Sequence, residues 1–198
     1  MTENQRATIS PAAAAYIRNL KTHIPFANFL APYLTTPSRI PGFHNSFEKN
    51  TVPLQESLIK KHNLSIKQTA IADAPIVIIS PPIIKPQNEQ KIIMNIFGGP
   101  FVMGSARDRT ALIMVAEMGI RVYSISYVLA PESRYPVARD QRLAVYRQLA
   151  KDFDPTNILG MSSSASGQLM LSTLLLACQE GLPMIAGHYL CRPGGSEW

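Results

Sequence analysis

The stretch 157–167, Asn-Ile-Leu-Gly-Met-Ser-Ser-Ser-Ala-Ser-Gly, decides the fold. Residues 157–161 form a short apolar run typical of a buried strand, and a leucine-rich helical pattern begins at Ala165. Between them, small side chains leave room for a sharp turn that holds one serine hydroxyl above the sheet. Ser164 is therefore the candidate nucleophile, although a serine-rich helix cap has the same composition.

Strands and helices alternate on both sides of this turn. The pattern predicts strands over 65–72, 75–80, 91–97 and 121–126, and helices over 107–118, 136–150 and 165–180. A further strand is expected after Pro183. This alternation predicts an α/β fold with a doubly wound, mostly parallel sheet covered on both faces.

The first 64 residues have a different character. Ser10 and Pro11 precede an alanine run, which predicts a helix that reaches Leu20. The proline-rich stretch 25–53 predicts a covering segment, and a second helix is expected over 55–63. We therefore divide the chain into an N-terminal helical cap segment, 1–64, and a partial α/β core, 65–198.

Composition excludes several classes of protein. The 198 residues are 46% hydrophobic and 16% charged, which favours one ordinary folded domain over a disordered chain. The two cysteines, Cys178 and Cys191, provide neither a disulfide framework nor a paired-cysteine zinc motif. With no secretory signal and no long apolar run, we expect a cytoplasmic protein with no membrane span. We also expect no metal and no other cofactor.

The net charge of +6 names no partner by itself. The basic residues are dispersed along the chain, and the group on the predicted helix 136–150 and its end is typical of a solvated helix face. We therefore expect no nucleic-acid partner. The members of that group are Arg139, Arg142, Arg147 and Lys151.

Two further segments add chemistry to the serine turn. The segment 97–105, Phe-Gly-Gly-Pro-Phe-Val-Met-Gly-Ser, follows a predicted strand, where bare backbone amides could point at a developing oxyanion, although a simple glycine turn is the common alternative. The segment 127–132, Tyr-Val-Leu-Ala-Pro-Glu, is the third landmark.

With these three segments in this order, the chain resembles the hormone-sensitive-lipase-like branch of the α/β-hydrolase fold. That family has a His-Gly-Gly-Gly-type oxyanion loop, a Tyr-Arg-Leu-Ala-Pro-Glu segment and a Gly-Asp-Ser-Ala-Gly-Gly turn at similar spacing. The resemblance covers about residues 65–186. It implies a lipase-like carboxylesterase that hydrolyses small-molecule esters through a Ser-His-Asp triad and an acyl-enzyme.

The resemblance assigns roles to five positions. Ser164 matches the serine nucleophile, and the amide of Ala165 matches one donor of the oxyanion hole. Gly98 and Gly99 match the first two glycines of the oxyanion loop. Glu132 matches a glutamate whose expected role is structural support of the loops around the site.

Several positions depart from the family pattern. Phe97 replaces the histidine of the oxyanion loop, and Pro100, which has no amide hydrogen, replaces its third glycine. Ser162 and Ser166 replace the two glycines that flank the nucleophile, and Val128 replaces the arginine of the third landmark. These changes predict a degraded nucleophile turn.

The region after Ser164 raises the question of the acid and the base. Only 34 residues follow, with Glu180, Glu197 and His188, and we expect His188 to be a partly buried strand residue rather than the base. We therefore expect a C-terminally truncated hydrolase that lacks the last strands and helices, and a frameshifted tail is one explanation for its final residues. An exposed sheet edge would favour self-association. Two functions stay open: an impaired ester hydrolase, and a non-catalytic remnant or binding module of the same fold.

Overall fold

Strand β3 (Ile92–Ile96) lies inside the sheet, and all of its residues are buried. Because successive side chains of a strand point to opposite faces, this burial requires cover on both faces. The computed structural model describes residues 40–99, 101–130, 132–133 and 135–193. In these residues the other helices and strands are α1 (Ile40–His62), β1 (Ser65–Ile71), β2 (Ala74–Ser80), α2 (Arg109–Met118), β4 (Arg121–Ile125), α3 (Val137–Asp152), β5 (Ile158–Ser164), α4 (Ser166–Gln179) and β6 (Gly187–Pro193).

The strands form one mixed sheet in the order β1-β2-β4-β3-β5-β6. Strands β1, β2 and β4 pair antiparallel, whereas β4, β3, β5 and β6 pair in parallel. Each parallel connection passes through a helix: α2 joins β3 to β4, α3 joins β4 to β5, and α4 joins β5 to β6. The predicted α/β fold with a mostly parallel sheet is confirmed.

The connections place a crevice beside β3. The chain leaves β3 for β4 on one side and then crosses to β5 on the other side, so the strand order reverses here. In open α/β sheets, ligands bind at such a reversal, beyond the carboxyl ends of the strands. The carboxyl end of β3 leads into Phe97-Gly98-Gly99, and β5 ends at Ser164. Both candidate segments therefore lie at the same edge of the sheet.

Most predicted elements agree with the structure to within about two residues at each end. Strand β5 differs because it continues through Ser164, whereas the apolar run alone predicts an end at Met161. The extra residues pair with β6, and the register shifts between Ser163 and Ser164. A long-range partner thus extends a strand beyond its apolar part.

The start of the helix that precedes β1 differs more between prediction and structure. The sequence predicts a covering segment up to Pro53, but α1 includes Pro53 and starts at Ile40. Pro53 is exposed, while Leu58 and Ile59 pack against the core, so contacts with the rest of the fold outweigh the local break. The predicted helix from Ser10 lies outside the described residues. The division of the chain at residue 64 stays a prediction.

No helix in the described ranges combines the length and the apolar character that crossing a membrane requires.

Candidate active site

The serine turn is a sharp junction between β5 and α4. Ser164 is the last residue of β5, and its side chain is exposed. Its φ of +54° lies in the left-handed region, which a residue with a β-carbon adopts at a cost of about 1–3 kcal/mol. Ala165 is already helical, with φ −57° and ψ −29°, and α4 starts at Ser166. This abrupt change of direction leaves the Ser164 hydroxyl at the carboxyl edge of the sheet.

Ser166 holds the turn in this shape. Its hydroxyl accepts a hydrogen bond from the amide of Ser163 (2.9 Å) and donates one to the carbonyl oxygen of Ser163 (2.7 Å). Ser166 is fully buried. The sequence analysis treated Ser166 only as a departure that degrades the turn, so the bracing by hydrogen bonds was missed. A serine that lies three residues after the start of a turn is a sequence signal for such a bond, because its hydroxyl can reach the backbone of the earlier residue.

Gly167 shows why the turn needs small residues. A β-carbon at this position would come within 2.5 Å of Leu190 Cδ1 in β6. The helix therefore approaches the neighbouring strand too closely for any larger residue without movement of Leu190.

The glycine loop after β3 touches the serine turn. A β-carbon at Gly98 would lie 2.5 Å from Ser163 Oγ and 2.7 Å from the Ser163 carbonyl oxygen, both in the turn. Gly99 has φ +134°, where a β-carbon would meet the Met103 carbonyl oxygen at 2.1 Å. Pro100 lies outside the described residues. The structure thus brings the loop that contains Gly98 and Gly99 against the residue before Ser164.

Phe97, which occupies the position of the family histidine, is buried and stacks on Tyr127. The ring centroids are 4.4 Å apart and the rings are inclined by 14°. The Tyr127 hydroxyl also donates a hydrogen bond to the Phe97 carbonyl oxygen (3.3 Å). Burial raises the pKa of Tyr127 to about 12, so the phenol keeps its proton and remains a donor at neutral pH. An aromatic stack therefore braces the loop where the family uses a histidine.

His188 lies in β6 and contacts a serine other than Ser164. Its Nε2 is 2.6 Å from the hydroxyl oxygen of Ser162, which is buried in β5. Burial lowers the pKa of His188, which favours the neutral ring. The sequence places His188 on this strand but not beside Ser162; the parallel pairing of Gly160 with His188 brings them together. Among the described residues, no histidine or carboxylate makes a hydrogen bond to the Ser164 side chain.

Glu132 is exposed and makes no hydrogen bond with another residue in the part of the chain that the structure describes. Its expected role in supporting the loops stays a prediction.

A polar cluster lies beneath the glycine loop. Asn95 in β3 donates through Nδ2 to Ser124 Oγ (2.8 Å) and to Asp108 Oδ1 (3.2 Å). Burial raises the pKa of Asp108 to about 6, against an opposing effect of hydrogen bonds that include the one from Asn95. The cluster ties the residues just before α2 to the two neighbouring strands. Sequence reasoning missed it, because an isolated asparagine in an apolar strand carries no partner information.

Comparisons with known proteins agree with this fold. A family model described as the alpha/beta hydrolase fold matches residues 93–197. The chain is 28% identical over 114 residues to versiconal hemiacetal acetate esterase stcI of Emericella nidulans, and 31% identical over 106 residues to an esterase of Acinetobacter venetianus. These matches cover 57% and 52% of this chain, but 39% and 35% of the relatives. The chain therefore spans well under half the length of these curated relatives.

Solved structures give the same fold. Esterase E25 superposes with a TM-score of 0.81 at 22% identity, over 93% of this chain and 57% of that chain. An esterase from the bacterial hormone-sensitive lipase family superposes with a TM-score of 0.59 at 27% identity, over 66% of this chain and 44% of that chain. The resemblance to the hormone-sensitive-lipase-like branch is thereby confirmed. Because the family model covers more than half of the residues, the chain belongs to the alpha/beta hydrolase fold family.

Proposed function

We propose that this chain carries the nucleophile and the oxyanion hole of a carboxylic ester hydrolase. The observation that carries the proposal is the exposed, left-handed Ser164 at the end of β5, next to a residue that contacts Gly98. A hydroxyl in this position is accessible to an ester carbonyl, and backbone amides nearby can accept the developing negative charge. The esterases among the relatives support the same substrate class.

The proposed reaction has two stages. Ser164 Oγ attacks the ester carbonyl carbon and forms a tetrahedral intermediate, whose oxyanion accepts hydrogen bonds from the amides of Ala165, Gly98 and Gly99. Collapse of the intermediate breaks the ester C–O bond and leaves an acyl group on Ser164. The proton lost by Ser164 Oγ passes through solvent water to the leaving oxygen, so that the alcohol departs neutral. Water then attacks the acyl carbon, which releases the acid and restores the hydroxyl.

Proton transfer is the limiting part of the proposed reaction. No described residue is placed to take the proton of Ser164, and loss of a triad base lowers turnover by about a millionfold in a serine protease. We therefore propose that this chain turns over esters slowly. The same observation favours the second candidate, a non-catalytic binding module that retains the fold.

Hydrolysis of p-nitrophenyl acetate and p-nitrophenyl butyrate by the purified chain tests the proposal. Ser164→Ala should abolish the rate above background. Ser172→Ala is the matched control, because Ser172 lies in α4 and its hydroxyl donates to the Leu169 carbonyl oxygen, away from the turn. Trapping of the acyl group, followed by mass spectrometry, should place it on Ser164. Equal rates for the wild-type chain and Ser164→Ala, with no acylated serine, would contradict the hydrolase and leave the binding module.

A further inference from the structure

A cavity of about 430 Å³ lies beside the glycine loop and helix α3. The volume is within the range of about 300–1,000 Å³ that is usual for small-molecule sites. Its described lining residues are mostly apolar, and they include neither Ser164 nor Gly98. They include Phe101, Tyr127, Val128, Ala138, Arg142 and Leu169.

Arg142 is the unusual member of this lining. It is 1% exposed, yet neither Nε nor Nη1 has a hydrogen-bond partner among the described residues. Its guanidinium carbon lies 5.4 Å from the centroid of the Tyr127 ring, so a cation–π contact is its visible compensation. Buried guanidinium groups normally donate to carboxylates, carbonyls or phosphates, because an unpaired buried charge is costly.

Asp140 is the nearby carboxylate that acts on Arg142 through space, but it makes no hydrogen bond to the Arg142 guanidinium. Asp140 makes an ion pair with Arg139 (2.7 Å), and Arg139 also donates to the Tyr135 hydroxyl (2.7 Å). Glu132, the acidic residue of the loop that borders the cavity, is exposed. Burial lowers the pKa of Arg142 to about 10, so the group remains cationic at neutral pH. The lining of the cavity thus combines mostly apolar walls with two arginines. Arg139 is paired with Asp140, whereas Arg142 lacks a hydrogen-bond acceptor in the described residues.

We propose that this cavity binds a small monocarboxylate with an apolar body, whose carboxylate accepts hydrogen bonds from the guanidinium of Arg142. The apolar walls exclude water from the body of the ligand, and the carboxylate satisfies the buried cation. An inorganic anion would satisfy the charge but would leave the apolar walls unused. This site is separate from the proposed chemistry at Ser164 and does not depend on it.

Calorimetric titration of the full 198-residue chain with sodium octanoate tests the site. Arg142→Met, which keeps much of the volume and removes the charge, should weaken octanoate binding by about ten- to hundredfold, as expected for loss of hydrogen bonds to a charged group. Arg147→Met is the matched control, because Arg147 lies on the same helix but pairs with Glu180 at the surface (2.6 Å). It should bind octanoate as the wild-type chain does.

Two comparison ligands and two variants complete the design. Inorganic phosphate should not compete with octanoate at equal concentration, and 1-octanol should bind equally well to the wild-type chain and Arg142→Met. Ala138→Leu fills the cavity without changing the charge, so it should weaken octanoate binding even if Arg142→Met folds poorly. Ser164→Ala should bind octanoate normally, which separates this site from the proposed nucleophile.

Several results would overturn the proposal. Octanoate that fails to bind the folded wild-type chain, or that binds Arg142→Met with unchanged affinity, would show that the guanidinium is not a carboxylate site. Competition by phosphate at equal concentration would show a simple anion site. Unchanged octanoate affinity in Ala138→Leu would show that the ligand lies outside the cavity.

Discussion

Replacement of Asp108 should favour the folded chain more at neutral pH than at acidic pH. Burial raises the pKa of this carboxyl group from 3.8 to about 6 in the folded chain. Its contribution to stability is therefore fully present below pH 3.8 and is lost as the pH rises through about 6. At about 1.4 kcal/mol for each pKa unit, the ionised carboxylate lowers the free energy of unfolding by about 3 kcal/mol at neutral pH.

The variant Asp108→Asn removes this titration, but its single amide oxygen keeps only part of the hydrogen bonding that the carboxylate accepts from Asn95, Thr110 and Ala111. The new amide oxygen can still accept from Asn95 Nδ2, which lies 3.2 Å from Asp108 Oδ1. We expect the free energy of unfolding of the variant, taken relative to the wild-type chain, to be about 3 kcal/mol higher at about pH 7.5 than at about pH 3. The difference between the two chains should grow mainly between these limits.

Urea unfolding followed by far-ultraviolet circular dichroism, repeated across this pH range, measures the difference. The matched control is Asp73→Asn in the turn between β1 and β2, because Asp73 is exposed and its φ of +62° suits asparagine. A change in the free energy of unfolding that both variants share reports the replacement of aspartate by asparagine rather than the burial of the carboxyl group. A difference for Asp108→Asn that is constant with pH, or that shifts in favour of the wild-type chain as the pH rises, would refute the reasoning.

Three further variants test the serine turn and its neighbours by the same unfolding measurement. Gly98→Ala places a β-carbon 2.5 Å from Ser163 Oγ and should cost about 1–3 kcal/mol; an unchanged stability would contradict the close contact. Phe97→Ala removes the stack on Tyr127 and should cost about 3–5 kcal/mol, whereas a loss below about 1 kcal/mol would show that the ring does not brace the loop. Ser166→Ala removes two hydrogen bonds to Ser163 and should cost about 1–3 kcal/mol, with Ser172→Ala as the control.

The sequence predicted the central part of the fold well because local and long-range preferences agree there. The run that forms β3 is apolar throughout, as a strand buried on both faces must be. Gly119, at φ +65°, ends α2 in the left-handed conformation that glycine adopts without strain. Such signals are local and can be read directly. The order of the three landmark segments then supplied the family and the position of the candidate site.

The remaining features depend on partners that are distant in the chain. The contact between Ser162 and His188 requires the register of β5 against β6, which periodicity does not define. The continuation of α1 through Pro53 likewise goes against the local proline signal. Arg142 illustrates the reverse case: its spacing indicated a solvated helix face, yet the residue is buried. Charge patterns predict solvent exposure only on average, and packing of the core can bury a single charged residue on an otherwise exposed helix face.

The departures from the family pattern have counterparts in the structure. Phe97, where the family has histidine, stacks on Tyr127. Ser166, where the family has glycine, makes two hydrogen bonds to the backbone of Ser163. Val128, where the family has arginine, and Arg142 line the same cavity. Different contacts can thus maintain one backbone geometry, since the turn requires close packing and satisfied polar groups rather than particular residues. The shape of the serine turn is therefore compatible with the proposed role of Ser164, and under that proposal we expect any loss of activity in proton transfer rather than in geometry.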